Sequence, residues 1–484
     1  MSAPELQGRS LRRYLWRQLT SMRTALILLL LLGLASIPGS LFPQRTQSPL
    51  KVREYFKNDP QGAKLLDRFY LFDVYGSPWF SAVYILLFIS LIGCVLPRSW
   101  HYFKEIFKAP GAAPSKLESM EGFQEVEGDL KAAEKWLRAN RFRVSKNGKS
   151  ISAEKGYLRE TGNLVFHLSL IVVLLGIAGS SVFGMRGEAI VNVGERFINT
   201  PTSYDNLTPG RFFSVADLPP FTITATNFDA KYDAENRQPL DYELKVTTQD
   251  GIDGESKQQI VKVNEPLTFG STRVYLQANG YSPLVTVKDK AGDVKFEGPV
   301  PFLPQDANLT SIGAIKVPDM EPQIGFVSSF LPTAARDRVR GGFSSYPELL
   351  DPRLLFAVWK GDLGMDSGVP QSVYRINTEE MERIGLWALR IGESYEFEVG
   401  SITFNGVIPW VNLQVVRDPG KQYALFGSIL AIIGLMVSLF MRQRRIWVRQ
   451  VDGKLQIAGL ALNRLPGLED EIKRMVTEMK GYKK

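Results

Sequence analysis

The sequence predicts a polytopic α-helical membrane protein with four transmembrane helices, a large all-β extracytoplasmic domain and a small α/β cytosolic segment. Three observations carry that prediction. Four apolar runs are each long enough to cross a bilayer as a helix. Arginine and lysine gather beside these runs, where they set membrane orientation. Between the third and fourth runs, residues 185–421 hold many stretches that alternate apolar with polar residues, the period of a half-buried strand.

Residues 1–23 form a cytosolic N-terminus, with Arg9, Arg12, Arg13, Arg17 and Arg23 ahead of the first run, 24–42. A basic start and a short apolar run also fit a cleaved signal peptide, and Pro38-Gly39 suits either reading. Three further runs favour a retained first span. The extracytoplasmic loop, 43–79, has a helix start at Ser48-Pro49, with serine as N-cap and proline at the first helical position. Its aromatic stretch Leu65–Tyr75 suits either the bilayer interface or a fold back onto the exported domain. The second span, 80–96, contains the only cysteine, Cys94. A single cysteine excludes an intrachain disulfide, a C-x-x-C redox pair, a cysteine zinc cluster and a C-x-x-C-H haem-attachment site. In an apolar run it reads as a small buried hydrophobe.

The cytosolic segment, 97–163, carries His101 in the basic border of the second span. Asp129–Asn140 reads as a short helix. Arg141–Ser145 and Ser150–Glu154 read as a hairpin closed at Asn147-Gly148. The third span, 164–184, holds His167, the second of only two histidines in 484 residues. An ionisable group inside a span is a functional candidate by default. Gly176, Ser180 and Gly184 make a small-residue face on which another helix can approach closely. At 100° per residue His167 lies on the opposite side from Gly176 and, if the small face packs inward, points at a ligand or a partner subunit. The plainer reading is a histidine hydrogen-bonded to a neighbouring helix.

The extracytoplasmic domain, 185–421, has strand-like stretches from Ala189–Val193 to Val411–Val416, with turns at Asp250-Gly251 and Asn405-Gly406. Pro299 to Arg353 is less regular and Pro-rich, and is expected to form long surface loops. The domain contains no histidine, which excludes a Ser-His-Asp triad within it. The fourth span, 422–441, offers Gly427 and Ala431 for close packing. The cytosolic tail, 442–484, opens with Arg442, Arg444, Arg445 and Arg449, and Leu468–Tyr482 reads as an amphipathic helix for a membrane surface or a partner.

The net charge of +8, from 58 basic and 50 acidic residues, lies largely beside the spans and calls for no nucleic acid. Without an internal repeat, and with one strongly polar ionisable group deep in a span, the chain is a poor transporter candidate.

The stretches Gly93–Arg98 (GCVLPR), Gly156–Asn163 (GYLRETGN) leading into Phe166–Ser169 (FHLS), Phe269-Gly270 to Tyr281, Pro301–Asp306 (PFLPQD) and Asp418-Pro419-Gly420 stand in this order along the chain. Together they resemble the ResB (CcsB) family of System II cytochrome c biogenesis proteins. The order of three spans, exported domain and one span matches too. The resemblance implies a plasma-membrane protein, or a thylakoid one in a photosynthetic source, with both termini cytoplasmic. It implies a CcsA/ResC-type membrane partner, apocytochrome c as substrate protein and a thioredoxin-like thiol reductase nearby. The cargo would be haem b, moved across the membrane and attached to C-x-x-C-H motifs. His167 falls at the position of the family's intramembrane haem ligand, and imidazole is a common axial ligand of haem iron. His101 is the other candidate. The partner's tryptophan-rich haem motif and external histidine pair are absent, so this chain would be a subunit of a haem lyase complex and not catalytic alone. The alternative is a membrane-anchored assembly scaffold that does not itself bind haem.

Overall fold

Four helices are long and apolar enough to cross a membrane: α2 (Met22–Leu41), α5 (Pro78–Ile106), α7 (Leu158–Phe183) and α8 (Lys421–Phe440). The remaining helices are α1 (Gly8–Leu19), α3 (Pro49–Asn58), α4 (Pro60–Arg68), α6 (Leu130–Ala139) and α9 (Leu468–Gly481). The computed structural model describes residues 8–45, 48–233, 239–337, 341–365, 372–461 and 467–481. It divides into two units, Met1–Ile177 with Lys421–Lys484, and Ala178–Gly420.

Helices α5 and α7 outrun the expected spans 80–96 and 164–184, whereas α2 and α8 keep close to theirs, and α2 and α5 each start at a serine cap. Ser21 accepts from the Thr24 amide to start α2, and Ser77 accepts from the Phe80 amide to start α5 with Pro78 behind it. Pro97 removes one donor inside α5, yet the helix continues to Ile106, so the second span does not end as a helix at Leu96. In the loop between them, Ser48 makes no side-chain cap bond, whereas Asp59 accepts from the Gly62 amide and caps α4. This loop closes a small core of its own, with Val52, Ala63 and Phe72 buried together.

Helices α7 and α8 meet along small residues spaced a heptad apart. Gly162, Ser169 and Gly176 are buried on α7, and Gly427, Ala431 and Gly434 on α8. A heptad repeat keeps one seam facing the partner helix. The small-residue face of α7 therefore differs from the expected one. Gly176 belongs to it, but Ser180 instead hydrogen-bonds Asp418, and Gly184 lies against the carbonyl of Arg417 where the helix ends.

Residues on either side of α7 and α8 build one antiparallel sheet. Its order is Glu121–Glu127, Lys454–Ala461, Arg444–Val451, Ser150–Lys155, Arg143–Asn147. Helices α6 and α9 cover it, with Trp136, Leu137, Ile457, Ile472 and Met475 in the core. The basic stretch after α8 is thus a strand. The terminal helix turns Leu468, Ile472, Met475 and Met479 into this core, one face at helical spacing, and not toward a membrane surface. The expected hairpin is present as Arg143–Asn147 with Ser150–Lys155.

On the strand Ser150–Lys155, next to the central one, buried Glu154 accepts from Gln443 at 2.8 Å and pairs with Arg445 at 3.2 Å and Arg143 at 3.1 Å. Burial pushes its carboxyl up, and these hydrogen bonds and guanidinium charges more than offset that, holding it below the usual carboxylate range. A lowered folded-state pKa means that the unfolded chain protonates first as pH falls. The contribution is full at neutral pH and is lost on acidification through and below about pH 4.3. Glu154→Gln is therefore expected to cost the small domain about 1–2 kcal/mol at pH 7 and less at pH 4. Hydrogen exchange of the Ser150–Lys155 amides, variant against wild type at each pH, checks this. An equal difference at both values rejects the charge assignment.

The second unit is strand-rich. Two 18-residue strands, Thr272–Asp289 and Gly400–Arg417, pair antiparallel along their full length. They anchor a seven-stranded sheet that also contains Met185–Asn192. One half of this ribbon packs with the four-stranded sheet around Phe221–Tyr232, burying Val274, Leu413 and Val415. The other half packs with the five-stranded sheet around Ile324–Leu331, burying Val285, Val287 and Phe404. Two sandwich cores thus share one ribbon. Asn405-Gly406, expected as a turn, is a register shift inside a strand, with Asn405 bonding Thr286 Oγ1 at 2.7 Å. Between the cores, buried Trp410 donates to the carbonyls of Tyr281 and Phe302, and fits because Gly280 has no Cβ. Pro299 to Arg353 is not mainly loop. It contains Ser311–Val317 and Ile324–Leu331, whose apolar period is diluted by small residues.

Candidate functional site

Helices α2, α5 and α7 line a partly open apolar cavity of about 460 Å³. Two tyrosines of α5 tie it to the third span: Tyr84 donates to the Leu174 carbonyl and Tyr102 to that of Tyr157, both at 3.2 Å. These bonds fix the two helices antiparallel. Between them Leu87, Leu91 and Cys94 face Leu170, Val173 and Leu174, while Leu26 and Leu29 of α2 close the third side.

His167 lines this cavity. It is half-buried, and its ring stands edge-on to Phe166, with centroids 5.2 Å apart and planes at 85°. Nδ1 is 2.8 Å from the Asn163 carbonyl, one turn earlier on the same helix. A carbonyl can only accept, so Nδ1 carries the proton. In the neutral form of the ring this leaves the lone pair on Nε2. Anchoring one ring nitrogen to a carbonyl is the usual way a histidine is oriented for metal at the other. No neighbouring helix supplies a hydrogen bond to the ring among the described residues.

His167 faces the cavity because Gly162 and Ser169, on the other side of α7, are held against α8. A Cβ on Gly434 would lie 2.6 Å from the Phe166 nitrogen and 2.7 Å from the Gly162 carbonyl, so only glycine allows this approach. The stretch GCVLPR divides its work. Gly93 admits Thr20, whose methyl would lie 2.2 Å from an added Cβ, and Cys94 and Arg98 line the cavity. His101 is elsewhere, exposed on the final turns of α5 and not among the cavity's lining residues. The structure does not bring the two histidines to one site.

Arg98 is not among the site residues to which the sequence points, although it closes the GCVLPR stretch. Its spacing was the available signal. It follows Cys94 by four residues, which places both on one face of a helix.

Among the described residues no group of three or more His, Cys, Asp and Glu side chains could hold a metal ion. The cavity offers a metal one imidazole, with the Cys94 thiol and Met22 thioether also on its lining, apolar walls and a cationic end.

A family model described as the ResB-like family matches residues 22–473. The cytochrome c biogenesis protein CcsB of Synechococcus sp. (strain JA-2-3B'a(2-13)) is 25% identical, over 97% of this chain and 94% of its own length. The cytochrome c biogenesis protein Ccs1 of Pyropia yezoensis is 21% identical, over 96% of this chain and 95% of its own. CcsB of Gloeobacter violaceus is 23% identical, over 97% and 91%.

Proposed function

Since the chain belongs to the ResB-like family, we propose that it works in cytochrome c biogenesis, accepting haem b within the membrane and scaffolding its covalent attachment to apocytochrome c. The observation that carries this is His167, with Nδ1 bonded to the Asn163 carbonyl and Nε2 left free in an apolar cavity. One imidazole cannot hold a bare ion. It can hold an iron whose remaining in-plane ligands come with a porphyrin, and an apolar cavity suits the rest of that molecule.

Haem is cargo in this reading. The residues present bind and orient it. The family resemblance assigns the thioether-forming step to a CcsA/ResC-type partner, with a thioredoxin-like reductase keeping the apocytochrome thiols free. The arginines before α2 set the N-terminus and the small domain on the cytoplasmic side, and the double sandwich outside, where apocytochrome c arrives. The third span enters from the cytoplasmic side, which puts His167 near the leaflet where new haem is available.

The test is complementation. Removing the gene from its host is expected to abolish covalent haem staining of membrane-bound c-type cytochromes while the apocytochrome is still exported. Restoring the full chain is expected to bring the staining back. Normal holocytochrome levels without the gene would reject the proposal.

A further inference from the structure

The cavity is apolar along its length and polar at one end. Met22 of α2, Arg98 of α5 and Asn163 of α7 are the terminal members of its three lining rows. Because α5 runs opposite to α7, and Met22 touches Arg98, these three ends come together. The Asn163 carbonyl is engaged by His167. The one polar contact of the Arg98 guanidinium among the described residues is the Met22 thioether, 3.5 Å from Nη1. A thioether is a weak acceptor, and no carboxylate pairs with this arginine among the described residues.

A guanidinium fork matches a carboxylate in two parallel hydrogen bonds. Here it sits at the mouth of a cavity whose imidazole lies one turn further in, four residues or about 6 Å beyond Asn163 along α7. A ligand that satisfies both is an amphiphile with a metal at its centre and a carboxylate at its edge. We infer that Arg98 anchors a carboxylate of the iron porphyrin and so makes this site selective for haem with free propionates. This rests on the reading that His167 meets haem iron. A lipid headgroup is the other anion an arginine can meet at a membrane border. Arg98 follows Leu87, Leu91 and Cys94 at helical spacing, on the cavity face of α5, which favours the cavity ligand.

The experiment titrates the full chain in lipid nanodiscs with ferric protoporphyrin IX and with its dimethyl ester, for wild type, Arg98→Met, Arg98→Gln, Arg98→Lys and His167→Ala. Comparing the diacid-to-diester affinity ratio between proteins cancels partitioning into lipid. Arg98→Met and Arg98→Gln are expected to lower that ratio about ten- to a hundredfold, with the Soret position of the bound haem unchanged. Arg98→Lys, which keeps the charge without the fork, is expected to retain part of the preference. A ratio equal in wild type and both neutral variants overturns the inference and returns Arg98 to the headgroup. The His167 variant separates the two readings. If it leaves the Soret band in place while the neutral Arg98 variants still lose the ratio, His167 is not the ligand and the carboxylate anchor stands.

Discussion

Replacing His167 with alanine is expected to remove or shift the haem Soret band of the full chain purified with its membrane partner, and added imidazole is expected to restore it. Nδ1 is held by the Asn163 carbonyl, so the side chain has one rotamer and one tautomer, and Nε2 is the single strong neutral donor among the cavity's lining side chains. Alanine leaves a space of imidazole size next to Phe166, which exogenous imidazole can fill. The variant should still assemble, because the seam with α8 lies on the other side of α7. An unchanged spectrum with intact complex would sink His167 as the ligand. The chain would then act as a scaffold.

Gly434→Leu is expected to be at least as damaging, through the backbone. The first side-chain carbon alone would meet the Phe166 nitrogen at 2.6 Å and the Gly162 carbonyl at 2.7 Å, atoms that belong to a helix and cannot move aside singly. Either α7 and α8 separate along the seam or the turn carrying His167 unwinds. Overpacking of a tight core costs about 1–3 kcal/mol and more where backbone must shift. The expected outcome is a large loss of detergent-extracted folded protein and, in what survives, altered haem binding although no cavity residue has changed. Gly179→Ala is the control, since nothing lies within 4 Å of its added carbon. Equal thermal midpoints for the two variants would show that the seam does not hold the helices together.

The spans, the strand-rich domain and His167 were legible because each rests on one local signal. Apolar length marks a span, alternation marks a strand, and an isolated imidazole stands out against leucine. What was hidden depends on distant partners. The basic stretch Arg444–Val451 resembles a positive-inside flank until Ser150–Lys155 pairs with it, and its guanidinium groups meet Glu154 and Glu471. Asp452-Gly453, both at positive φ between two apolar stretches, was a hairpin signal in plain view. Gly162 was missed on α7 because Gly176, Ser180 and Gly184 share a four-residue spacing, while the packed seam follows seven. Arg98 reads as a border charge until the cavity is closed around it.

The inner sheet also constrains how the chain is made. Glu154 and Gln443 are hydrogen-bonded yet separated by 289 positions. At about 5–20 residues per second, Ser150–Lys155 is synthesised on the order of 15–60 seconds before its neighbour Arg444–Val451 leaves the ribosome. Until then the hairpin exposes an unpaired edge. Two helices long and apolar enough to cross a membrane, α7 and α8, lie between the two halves. The late strands can close the sheet only if α8 has inserted in the opposite sense to α7, since otherwise they emerge in the wrong compartment. Completion of this sheet is thus a physical proofreading step, in which a chain threaded with the wrong topology is left with an open strand edge for quality control to find.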